Sequence, residues 1–138
     1  MINDDTALAE IRKDWGGVEA LKGKLYLSSM VSGARGHFPF ALANAAHNLP
    51  FLHACCVLDD VLKAIEKEEH FTADRKTLGG RIYGSEQSIN WVNFPIIKKI
   101  LTKRNGLAHK GEILERGECW EYIDALKIEL LAWNILTP

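Results

Sequence analysis

Two runs of apolar residues at three- and four-residue spacing constrain this chain most. Between Pro50 and Glu69, Phe51, Cys55, Leu58, Leu62 and Ile65 fall on one helical face. Between Glu118 and Leu136, Cys119, Ile123, Leu126, Leu130 and Trp133 do the same. A strand would alternate at every second residue, and neither run does. The second run carries another apolar set, Tyr122, Ala125, Ile128, Leu131 and Ile135, so its helix is either central in a bundle or shared with a second copy.

Punctuation divides the remainder. Asp4 or Asp5 suits the cap of a short helix through about Trp15, with Leu8 and Ile11 inward and Gly16-Gly17 as its end. Val18 to Val31 reads as a second short helix, with strand-like alternation at Leu25-Tyr26-Leu27 as the alternative, Ser32 to Pro39 as a loop holding Arg35 and His37, and Phe40 to His47 as a further short helix. His70 to Arg75 is a connection. Thr77 to Ile82 is a helical turn or short helix, and Ser85 is placed to cap a run through Trp91. The prediction is one all-α domain over residues 1–138, an up-and-down four-helix bundle with additional short N-terminal helices.

The remaining helix holds the stretch with the most chemistry. Asn93 is a fitting cap, Pro95 suits the first turn, and Gly111 is a natural stop. Within it, Ile97, Ile100 or Leu101, Arg104 and Leu107 or Ala108 recur at helical spacing. Its last turns read Arg104-Asn105-Gly106-Leu107-Ala108-His109. Asn105 and His109, four positions apart, share a face, whereas Arg104 and His109 are offset by ~140° and diverge on a straight helix. A permanent cation, an amide and an imidazole that titrates near neutrality suit a phosphodiester, as charge clamp and as acid or base. Read as structure alone, Arg104 forms an ion pair and His109 a favourable contact with the negative helix end.

Arg-Asn-Gly-Leu-Ala-His resembles the signature of the HEPN superfamily: an arginine, four to six residues and a histidine, with a polar residue after the arginine. The resemblance runs from about Thr77 to Leu136, through Thr77-Leu78-Gly79-Gly80 and the long final helix. It implies a helical bundle, usually dimeric, and in many members a metal-independent ribonuclease. Catalytic residues would be Arg104, Asn105 and His109. His109 would take the proton of a ribose 2′-OH or protonate the leaving 5′-oxygen, Arg104 would hold the phosphate, and Asn105 would orient His109 or a phosphate oxygen. Products would end in 2′,3′-cyclic phosphate and 5′-OH. The alternative is a non-catalytic HEPN-like module that binds RNA, nucleotide or protein. Toxin and phage-defence roles, with an antitoxin or regulatory protein as partner, come with the resemblance. Toxins of this superfamily paired with nucleotidyltransferase antitoxins commonly have a tyrosine three residues after the histidine; here that residue is Glu112.

Charge points the same way. The chain's net charge is −1, yet Ile96 to Arg116 holds six cations against two anions. Lys98, Lys99, Lys103 and Lys110 are thereby the expected RNA-binding residues. A homodimer would sum two such segments into one cleft, with the last helix, Trp120 and Trp133 as the expected interface. No cofactor or metal is called for. His53, Cys56 and Asp60 do lie on one side of a helix, but no Cys-x-x-Cys partner accompanies them, and they read as a polar flank with a buried thiol. Cys55 and Cys56 both read as small core residues. With three cysteines, no secretory leader and no apolar run long enough to span a bilayer, the expected setting is the cytoplasm, away from membrane.

Overall fold

Thirty-one residues from Asp5 to Arg35 form a single helix, α1, in the computed structural model. That model describes residues 1–35 and 46–138, and side chains for all of these except 25–35. Asp4 caps α1, its Oδ1 accepting the N–H groups of Thr6 and Ala7 at 3.0 and 3.2 Å. Gly16-Gly17 does not end the helix, so the two predicted short helices are one. Glycine costs about 1 kcal/mol in a helix interior, and packing offsets it here. Ile11, Trp15 and Val18 are buried on either side of the pair, and a Cβ on Gly17 would touch the His53 ring at 3.7 Å, where the next helix crosses. The loop predicted over Ser32–Pro39 is helical as far as Arg35. The rest of it, with His37, and most of the helix predicted over Phe40–His47 lie outside the described residues.

α2 (Asn48–Lys67) is the centre of the fold: ten of its 20 residues are buried, including every member of the predicted stripe. Phe51, Leu58, Leu62 and Ile65 meet Ile97 and Ile100 from α4 (Phe94–Lys110) and Ile123, Leu126 and Leu130 from α5 (Arg116–Ala132) in one core. Between α2 and α4 comes the short α3 (Leu78–Gly84), capped by Thr77, whose Oγ1 accepts the Gly80 N–H at 3.0 Å. α1 lies on α2; α2 touches α3 and α5; α4 touches α3 and α5. The chain is thus all-α, five helices with no strand among the described residues. None of these helices is long and apolar enough to cross a membrane.

Two further boundaries differ from the sequence expectation. Ser85 ends α3 and does not open a new helix. Its buried Oγ donates to the Ile82 carbonyl at 2.9 Å and accepts the Trp91 indole N–H at 3.3 Å, so residues 85–88 form turns. α5 stops at Ala132, and Asn134 beyond it takes a left-handed φ of 58°. Trp133 nevertheless turns inward. Its indole donates to the Asn90 carbonyl at 2.9 Å and meets Trp91 edge-on at 4.7 Å, so it is not available for a dimer surface. Trp120 is half-buried, with His47 edge-on at 5.7 Å and the Lys22 ammonium 5.5 Å from its ring. Cys55 and Cys119 are buried as expected, whereas Cys56 is exposed, because adjacent positions on a helix point apart.

The loop between α2 and α3 is held by Glu66. Its carboxylate accepts the Ala73 N–H and the Lys76 ammonium, both at 2.7 Å, and the Arg81 Nε–H at 3.3 Å. Arg81, nearly buried, also reaches Asp59 at 3.1 Å. The Lys76 hydrogen bond first, then that of Ala73, hold the Glu66 carboxyl down to about 2. A carboxyl depressed in the folded state stabilises fully above its unfolded value and loses that contribution as pH falls toward the folded one. Stability from this site is therefore complete above about pH 4.5 and gone near the folded value of about 2. Because Lys76 is partly exposed, we expect about 2 kcal/mol to be at stake. Urea denaturation at pH 5.5 and 2.5 checks this: Glu66→Gln should lose correspondingly less stability between the two than the parent.

Candidate functional site

α4 is fixed at both ends by buried polar side chains. At its start, the Glu129 carboxylate, 1% exposed, accepts the backbone N–H groups of Val92 and Asn93 at 2.7 and 2.9 Å. Asn93 then caps the helix, accepting the Ile96 N–H at 3.3 Å, and proline follows in the first turn, as the sequence predicts. At the other end Gly111 takes the left-handed conformation (φ 66°, ψ 25°) that glycine adopts without strain. The N–H groups of Gly111 and Glu112 both point to the Gly106 carbonyl. The loop beyond is clamped by Asn48 at the start of α2, which accepts the Leu114 N–H at 2.9 Å and donates to the Leu114 carbonyl at 3.1 Å.

Between these anchors α4 forms one wall of an open groove of about 740 Å³. Arg104, Asn105 and His109 all line it, with Leu101 at its floor. This differs from the divergence that the ~140° offset predicts. The guanidinium of Arg104 turns toward Asn105, donating to its Oδ1 at 3.0 Å, and Asn105 sits between the other two around the helix. One chain therefore gathers all three groups. Arg104 is half-buried, while Asn105 and His109 are exposed. The guanidinium is close enough to act on Cys55, whose thiol burial pushes up and the Arg104 charge pulls down. Burial likewise raises the Cys119 thiol, to about 12, so both buried thiols stay protonated and unreactive.

The opposite wall comes from the 72–77 loop and α3, and contributes Arg75 and Tyr83. Sequence reading treated His70–Arg75 as a mere connection and missed both residues. The available signal was a basic pair, Arg75-Lys76, directly before Thr77 and the glycine pair. Gly80 is what allows this wall to close. A Cβ there would collide with the Arg75 carbonyl oxygen and come within 2.9 Å of its carbonyl carbon. At Gly106 a Cβ would meet only the Glu112 side chain, which can swing aside. Gly80→Ala should thus cost about 2–3 kcal/mol and displace Arg75, whereas Gly106→Ala should be neutral or slightly stabilising. Thermal denaturation of the two variants provides the comparison.

The four lysines fall elsewhere. None of Lys98, Lys99, Lys103 and Lys110 lines the groove. Lys99, Lys103 and Lys110 share a different side of α4 by helical spacing, and Lys103 pairs with Glu118 of α5 at 3.5 Å. Lys98 lies over the Phe94 ring at 5.7 Å. Among the described residues no three of histidine, cysteine, aspartate and glutamate converge as metal ligands, the His53, Cys56 and Asp60 stripe included. Glu112 folds back against Gly106 on the motif helix. Compared with protein-family models, curated proteins and solved structures, the chain matches none.

Proposed function

We propose that this chain is a metal-independent endoribonuclease of HEPN type, cutting RNA to 2′,3′-cyclic phosphate and 5′-OH ends. The observation that carries this reading is the convergence of Arg104, Asn105 and His109 on one open groove. In the reaction the ribose 2′-oxygen attacks phosphorus, the bond to the 5′-oxygen breaks, and a proton passes from the 2′-OH to the leaving oxygen. His109 serves that proton transfer. Arg104 offsets the charge that grows on the phosphate oxygens. Asn105, its Oδ1 already held by Arg104, has its amide N–H groups left for a phosphate oxygen.

The reading takes α1, α2, α4 and α5 as an up-and-down bundle, with the groove on its α3–α4 side. It includes homodimerisation, which would add a second imidazole as general acid, and a regulatory or antitoxin partner for a toxin or defence role. The test is incubation of the purified protein with RNA in excess chelator. Cleavage with cyclic-phosphate and 5′-OH ends is expected. Cleavage that appears only with added magnesium or manganese overturns the reading. Binding without cleavage leaves the non-catalytic module in its place.

A further inference from the structure

Only one wall of the groove carries the sequence motif; the other has its own pattern of charge. Arg75, Lys76 and Arg81 are neighbours in the chain, and Glu66 takes two of them, Lys76 at 2.7 Å and Arg81 at 3.3 Å. Arg75, which lines the groove, has no ion partner among the described residues. Arg104 on the facing wall also has no carboxylate partner among the described residues and donates to the Asn105 amide oxygen. Two guanidiniums thus line the groove against one carboxylate, that of Asp74, and leave it net positive, while the cations behind them are neutralised. A polyanion is the ligand that such an arrangement suits.

Tyr83 says which kind. It is 55% exposed on the groove and meets Phe94 edge-on, with ring centroids 6.3 Å apart. Lys98 lies on the same Phe94 ring, so an aromatic ledge with a cation beside it marks the start of α4. Phe94 and His109 lie at opposite ends of that helix, which puts ~22 Å between them along its axis. Glycines keep the α3 wall low, while Thr72, Asp74, Thr77 and Leu78 also line the groove. Gly79 stands against Leu101, where a Cβ would be 3.4 Å from the leucine methyl, and Gly80 and Gly84 add no side chain. A mononucleotide is too short to reach from ledge to histidine. A duplex keeps its bases paired and cannot lay one on a tyrosine, whereas a single strand can splay a base out.

We propose that the groove is a track for single-stranded RNA. Arg75 and Arg104 hold its phosphates from opposite walls, and Tyr83 stacks an unpaired base some nucleotides away from the bond at His109. The proposal deepens the ribonuclease reading and rests on it for the position of the scissile bond, but binding along the track is measured apart from cleavage. The probe is a short fluorescein-labelled single-stranded oligoribonucleotide, free or annealed to its complement, titrated by anisotropy into full-length His109→Ala protein. The single strand should bind at least about tenfold more tightly than the duplex. Adding Tyr83→Ala should weaken it about tenfold, while Tyr83→Phe should not. Adding Arg75→Ala should weaken it and reduce the salt slope by about 0.7. Both residues are exposed, so the variants should melt like the parent. Equal affinity for duplex, indifference to Tyr83→Ala, or no RNA binding overturns the track. A protein that cleaves RNA but ignores Arg75 and Tyr83 keeps the ribonuclease reading and loses the track. One that binds through them yet leaves RNA intact does the reverse.

Discussion

Replacing His109 with alanine is expected to slow RNA cleavage by about 10²–10⁴-fold with no loss of folded protein. The imidazole is exposed, in the last turn of α4, where its loss removes no buried contact. Asparagine in its place should be equally inactive, since an amide matches its polarity but does not exchange a proton near neutral pH. Initial rates on a labelled RNA, with a thermal melt of each variant, give both halves of the comparison. Activity within a fewfold of the parent would move the search for the base away from α4 altogether.

Glu129→Ala is expected to be the most damaging single change far from the groove. It leaves the N–H groups of Val92 and Asn93, in part-buried hydrogen bonds, without the acceptor they have at 2.7 and 2.9 Å. A hydrogen bond to a charged group contributes about 1.5–3 kcal/mol, and water partly replaces the acceptor at these part-buried donors, so a loss of about 2–3 kcal/mol is expected in urea denaturation. Glu129→Gln keeps one accepting oxygen and should lose about half as much. The effect should also appear in cleavage, because the turn at Val92–Asn93 sets where α4 begins. An alanine variant as stable as the parent would mean that the turn finds other acceptors.

The parts of this structure legible in sequence are those governed by local chemistry. The limits of α4 follow from Asn93, Pro95 and Gly111, and the stripe of α2 from apolar spacing, because caps and amphipathic periodicity act within a few residues. What escaped reading depends on partners far along the chain. Gly16-Gly17 looks like a helix end until His53 is found packed on Gly17. Ser85 looks like a cap until Trp91 and Ile82 claim its hydroxyl. Arg104, Asn105 and His109 share a helix and a short motif, so their chemistry and the motif's resemblance nominated them, although the ~140° offset pointed to divergence. Arg75 and Tyr83 come from another segment, placed by Glu66 and by a glycine whose neighbour is Arg75 backbone. Lys99, Lys103 and Lys110 lie on another side of α4, because a count of charge along the chain does not say which side of a helix each one takes.

The two clamps on α4 also change what a loop means in this protein. Val92, Asn93 and Leu114 lie outside every helical ladder, in segments where amides ordinarily trade their protons with solvent quickly. Here Glu129 holds the first two and Asn48 the third. Opening either segment requires stripping a buried acceptor, so these amides should exchange deuterium as slowly as those of the helices they join. The connections at both ends of α4 would then belong to the same cooperative unit as the core. The α4 wall of the groove would move only when the whole protein opens, its shape set before any ligand arrives.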